Sequence, residues 1–294
     1  MKKNCVKKIK FNFLLGIFFC FSLNAFAFDW PQKQIESDTF FSYFGQLSGS
    51  VMETSLVFKE SSPVKAADKG TITTIVREHG EDFGWFESPL GNAVVIVHDE
   101  IATVYGNLDA ETIESSIYEK NSIELAEPIA ESGNSGWQEG VSCLEFQILD
   151  LKNKNAINPR VLMPRVGREL TLIVGEITAV DRDGKSYNLS QVKNLKSGFY
   201  SVYRSRQSIA VPYKTTIAIN GAAVETISYD VITSDDGRLC VRGNTLYPIE
   251  RLYPDSKKML LGQLHFTSGR NTLTVNVQDI LGASKSASYV ITAY

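Results

Sequence analysis

Histidine and cysteine are scarce in this 294-residue chain, with three and four copies. Cys5 and Cys20 fall in the first 27 residues, which leaves Cys143 and Cys240 beyond them. In an oxidising compartment those two could pair, but they lie in what read as separate domains, so free buried thiols are the expectation and a bridge stays open. His79, His98 and His265 are the whole supply of imidazole, too few for chemistry that needs several converging histidines. A basic surplus is also missing. Of 30 basic residues, five are lysines in the first 27, leaving 25 against 33 acids, a formal charge of −8. That balance argues against nucleic acid and anionic lipid as partners, since both need a basic surface. Heptads, low-complexity tracts and internal repeats are absent, so nothing points to a coiled coil or a solenoid.

What is present begins with a targeting pattern. "MKKNCVKKIK" is a basic opening and "FNFLLGIFFCFSL" an apolar run too short to span a bilayer. Ala25 and Ala27 then supply an A-x-A site, so residues 1–27 are expected to be a signal peptide cleaved after Ala27. Bulky Phe19 before Cys20 speaks against lipidation there. The expected location is therefore across the inner membrane, in the periplasm or cell envelope, with no stable membrane span after cleavage. The 267 residues that remain suggest two domains at roughly 150 residues each, after an N-terminal linker at 28–44.

Nearly everything after the linker reads as strand and turn. "GTITTIV" (70–76), "NAVVIVHD" (92–99), "IATVYGNL" (101–108) and "SCLEFQILD" (142–150) are short, β-branched and bounded by turn formers. Residues 109–125 are the one helical candidate, acidic and weakly amphipathic. Beyond Arg168, alternating runs are punctuated by "DRDGK", "INGAA", "SDDGR" and "DILGAS", the spacing of an antiparallel sandwich. Asn220-Gly221 and Asp236-Gly237 are strong hairpin signals. Asp279 and Gly282 read as turn formers, and the join falls in 158–170, where Pro159 and Pro164 sit.

In "GVSCLEFQI" (140–148), side-chain alternation puts Leu144, Phe146 and Ile148 on a core face and Cys143, Glu145 and Gln147 on the other. That segment, with "SPVKAADKGTITTI", "GNAVVIVHDEIATVYGNL", "PIAESGNSG" and "INPRVLM", resembles in order and spacing the lysostaphin-type, LytM-like zinc metallopeptidases. These cut peptides of bacterial peptidoglycan. The resemblance implies a mainly β fold, an antiparallel LytM-like domain of the duplicated hybrid motif type at 45–165. The second block, 166–294, resembles an Ig-like β-sandwich through "GRNTLTVNVQDILG".

The family holds zinc with the His and Asp of an H-x-x-x-D motif and the second His of an H-x-H strand. The first His of that strand and a His in Y-x-H-L assist catalysis. Carried over position by position, the ligand places fall on Val51, Ser55 and Glu145 and the catalytic places on Asn107 and Cys143. Val51 has no donor atom, Ser55 is a poor zinc ligand, and neutral Asn107 cannot relay a proton. The expectation is no catalytic residue, no metal ligand and no cofactor, though zinc serves the family. The resemblance gives His98 a packing or hydrogen-bonding role. Two other chemistries stay open: a soft metal on Cys143 and Glu145 with Glu53 nearby, and a Cys143 nucleophile paired with His98.

Trp85, Phe86, Tyr105 and Trp137 read as core or as the walls of a binding groove floored by Asn107, Cys143 and Glu145. The functional expectation is an exported envelope protein that binds peptidoglycan or regulates a wall hydrolase without catalysis. The alternatives are a zinc metalloendopeptidase with an atypical site, and an adhesion or assembly module acting through the second block.

Overall fold

The computed structural model describes residues 28–33, 39–77, 88–138, 140–165, 169–207 and 211–294. The first 27 residues, with the expected cleavage site, lie outside them, as do His79, Trp85 and Phe86. The described chain is mainly β, and its three helices, Ser115–Glu119, Pro159–Leu162 and Ile249–Leu252, are each about one turn. The helical candidate at 109–125 resolves into the first of these followed by the two-residue strand Ser122–Ile123, with Ile117 the helix residue that is buried.

Five antiparallel strands form the first lobe in the order Gly70–Val76, Asn92–His98, Ile101–Leu108, Glu145–Asp150, Asn155–Ile157. Leu56–Phe58 joins at the start of Glu145–Asp150, where Glu145 lies opposite Val57 and Phe146 opposite Leu56. The central strands are apolar on both faces, with Ala93, Val94 and Ile96 all buried, the pattern of strands covered on two sides.

The second lobe is a two-sheet sandwich. One sheet runs Ser186–Asn188, Ile177–Val180, Gly198–Ser205, Lys258–Phe266, and the other carries Ala222–Asp235, Lys214–Ile219, Gly269–Gln278 and Ser284–Ala293. Between them Ile177, Val202, Leu264 and Phe266 meet Ile217, Leu273, Val275 and Ile291. The period of two is plain in Gly269–Gln278, where Leu273, Val275 and Val277 are buried and Thr274 and Asn276 are not. Each such aliphatic side chain contributes about 1.5–3 kcal/mol on burial.

Both hairpin dipeptides sit where their chemistry requires. Asn220 and Gly221 have φ 51° and 86°, Asp236 and Gly237 have 49° and 74°, the paired positive values that suit the twist of a two-residue hairpin loop. Asp279 accepts from Gly282 and Ala283 in the turn before the last strand.

Two features differ from the sequence reading. The described residues of the expected linker at 28–44 pack into the core: Phe28, Phe40, Tyr43 and Phe44 are buried, and Trp30 donates from Nε1 to Pro164 O at 2.8 Å. Its six aromatic residues are more apolar surface than a free linker can expose. The two lobes also share one sheet, because Asn155–Ile157 pairs with Ala222–Asp235, Asn155 opposite Thr233 and Ile157 opposite Val231. Asn158 caps the helix Pro159–Leu162 and donates to Tyr229 O at 3.0 Å, and Tyr253 OH donates to Gly45 O at 2.8 Å. Cys143 and Cys240 are buried and free.

Candidate functional site

Strand Ile101–Leu108 pairs with Glu145–Asp150 so that Gly106 faces Glu145 and Tyr105 faces Phe146, with the two rings 5.2 Å apart. Asn107 follows Gly106 in the left-handed region, φ 61°, which asparagine tolerates better than most residues. The turn aims its amide at the loop that precedes Glu145. Nδ2 donates to Gly133 O at 2.9 Å and Cys143 O at 2.7 Å, and lies 3.4 Å from Cys143 Sγ. Oδ1 accepts from the backbone N–H groups of Ser135 and Gly136, both at 2.7 Å. One buried side chain therefore ties four points of the 133–143 loop to the sheet.

That loop must run against the sheet with no space to spare. A Cβ on Gly133 would lie 2.5 Å from Asp109 N, and one on Gly91 would lie 2.3 Å from the Ser135 carbonyl carbon. Glycine is the residue that permits such backbone approach. The loop then delivers two donors to Glu145. Trp137 Nε1 and Gln138 Nε2 reach Oε2 at 2.8 and 2.6 Å, while Gln147 Nε2 reaches Oε1 at 3.1 Å.

Glu145 is 4% exposed, and Tyr105, Asn107 and Cys143 are fully buried. Burial raises the Cys143 thiol to about 11, with the Glu145 charge adding to the rise and the Asn107 hydrogen bond opposing it. It is a neutral thiol at neutral pH. Burial likewise raises the Glu53 carboxyl, which the Ser48 hydroxyl lowers in part and Glu145 raises further. Tyr105 is raised by burial to about 12 and accepts from Ala67 N–H at 2.8 Å.

The remaining sequence candidates disperse. Val51 is 60% exposed, whereas Ser55 is buried with its hydroxyl unpartnered. His98 makes contacts at Lys69 O (2.7 Å, Nδ1) and Thr103 Oγ1 (2.8 Å, Nε2) and meets the edge of Phe28. Since a carbonyl only accepts, Nδ1 carries the proton, and the ring serves packing and hydrogen bonding rather than Cys143. His265 stands on an exposed strand position against Phe199. Of the described groove candidates, only Trp137 presents substantial surface, at 42%. The polar strand face is thus covered, because the 133–138 loop folds over it. Gln138 was not anticipated. Its signal was the glycine spacing of "GNSGWQ", which lets a loop close on a strand.

A model of peptidase family M23 matches residues 54–159. Those residues are an M23 domain. A second family model matches residues 171–294. Among solved structures, Csd3 of Helicobacter pylori is similar in two crystal forms, at 17% identity and TM-score 0.35, covering 50% of this chain and 36–37% of that one. This chain thus spans little more than a third of Csd3. CbpA of L. salivarius REN is similar at 20% identity and TM-score 0.32, covering 46% of this chain and 93% of that one. No curated protein matches.

M23 peptidases are zinc-dependent in general, and a hydrolytic zinc needs three protein donors plus an open position for water. The residues that the sequence reading expects at the ligand places do not meet that need. Val51 offers no donor, Ser55 offers a hydroxyl, and the Glu145 carboxylate is already engaged by three N–H groups. Among the described residues no group of three or more His, Cys, Asp or Glu side chains converges as metal ligands would. No helix among them is long and apolar enough to cross a membrane.

Proposed function

We propose that this is an exported cell-envelope protein whose M23 domain works without catalysis, binding peptidoglycan or regulating a wall hydrolase, with 166–294 an Ig-like module beside it. The observation that carries the reading is the covering of Glu145 by Trp137, Gln138 and Gln147. A side chain standing where M23 enzymes place a metal ligand here closes a loop over the strand. The buried Asn107 amide supports it by occupying a catalytic place with a purely structural set of bonds. Signal-peptide cleavage after Ala27, envelope location and the degenerate places Val51, Ser55, Asn107, Cys143 and Glu145 all belong to this proposal.

With the expected groove floor buried, the wall or partner contact is assigned to the outer rim, where the exposed Trp137 indole offers an apolar face with its N–H already satisfied. The test is co-sedimentation of the purified protein with peptidoglycan sacculi and, separately, with wall hydrolases. Retention by either that falls in Trp137→Ala, with the fold intact by circular dichroism, is expected. Retention by neither would remove the proposal.

A further inference from the structure

Ser284–Ala293 ends one sheet of the sandwich and pairs over its whole length with Gly269–Gln278. On its other side, Asn194–Leu195 pairs with Thr292 and Ala293 alone. Thr292 and Tyr294 donate outward there, to Lys193 O and Leu195 O at 2.8 and 3.1 Å. The antiparallel ladder alternates and carries no bulge, so the N–H and C=O groups of Ser284, Ser286, Ser288 and Val290 point outward too. Among the described residues none of these backbone groups has a partner.

A free edge of this kind is a template for another strand, and proteins ordinarily blunt it by shortness, proline, a bulge or charge. Ser186–Asn188, an edge of the facing sheet, is three residues long. Ser284–Ala293 has ten residues, no proline and unbroken register, and Lys285 is its one charged side chain. Val290 within it and Leu281 in the turn before it are large apolar side chains left 40% and 41% exposed.

The occupant that fits is a second copy of the chain. The free stretch 284–290 is bounded by the turn Asp279–Ala283 and by Asn194–Leu195, so it accepts a strand about as long as itself. Two such stretches set antiparallel about Ala287 place Ser284 opposite Val290, Lys285 opposite Tyr289 and Ser286 opposite Ser288. Every outward group then pairs, with about eight hydrogen bonds in all. Lys285 meets a tyrosine ring instead of its own copy, small Ala287 meets itself, and exposed Lys193 of one copy lies end to end with Asp279 of the other. We propose that the protein forms a two-fold dimer through antiparallel pairing of residues 284–290 with the same segment of a second copy, joining the two sheets into one. This interface lies on the second lobe and does not depend on how the M23 domain is read.

Sedimentation velocity of the purified protein from about 1 to 100 μM is expected to show a monomer–dimer equilibrium. Ser284→Lys with Val290→Lys sets lysine opposite lysine at both ends of the pairing, whereas Ser284→Glu with Val290→Lys sets lysine opposite glutamate. Both positions are exposed, so the melting temperatures should match while the first variant dissociates about tenfold more readily. Under mild oxidation Ala287→Cys is expected to cross-link to its own copy, since cross-strand Cα atoms about 4.5 Å apart suit a disulfide, and Lys285→Cys is not. Cys143 and Cys240 are buried and stay out of this reaction. A monomer at every concentration, equal dissociation of the two charge variants, or Lys285→Cys cross-linking as readily as Ala287→Cys would each overturn the assignment.

Discussion

Asn107 shows how one buried side chain can hold a loop against a sheet. Its amide satisfies two carbonyls and two N–H groups at a backbone angle few side chains accept. Asn107→Ala leaves those buried groups unpaired, and a loss of about 3 kcal/mol or more in urea unfolding is expected. Glu53 gives a pH prediction. Its folded pKa is raised, so the native state holds the proton more tightly and stability falls as pH rises from the ordinary carboxyl value of 4.5 through the raised one. Glu53→Gln should therefore be more stable than the parent at pH 7, the gain vanishing below pH 4.5; thermal melts across pH 4–8 check this. At this scale the core face of Leu144, Phe146 and Ile148 was legible, because it follows from alternation along a strand. The covering of Glu145 was not, because alternation says which side chains share a face and not what lies upon it.

Strands and turns were the most legible level. The runs around 70–76, 92–98 and 101–108 form where β-branched residues and turn formers placed them. The exception instructs: "SCLEFQILD" enters the ladder only at Glu145. Cys143 N donates to Gly133 O and Cys143 O accepts from Asn107, so the preceding backbone is spent on the loop instead. Turn chemistry gives a clean prediction at Gly221, where φ is 86° and a Cβ would meet nothing within 4 Å. Gly221→Ala should cost about 1 kcal/mol through the backbone alone, read from the urea midpoint at unchanged slope.

For the whole molecule, composition and length implied two units but not their fusion. The pairing of Asn155–Ile157 with Ala222–Asp235 joins segments some 75 residues apart, and no local pattern encodes a partner so distant. One core cluster also takes Phe40, Phe44 and Phe146 together with Tyr229, Tyr253 and Leu260. Urea unfolding is therefore expected to be a single transition, with tryptophan fluorescence and far-ultraviolet circular dichroism coincident. Two separated midpoints would mean that the shared sheet adds little coupling between the lobes.

The central claim is that an M23 domain here has lost its chemistry and kept its fold. Its most direct test is incubation of residues 28–294 with peptidoglycan sacculi, with and without added zinc, beside an active M23 enzyme, with released muropeptides followed by mass spectrometry. The account predicts release by the control and none by this protein at any zinc level. Zinc-dependent release that disappears in Glu145→Ala would contradict it and mean that the loop opens to let that carboxylate bind a metal.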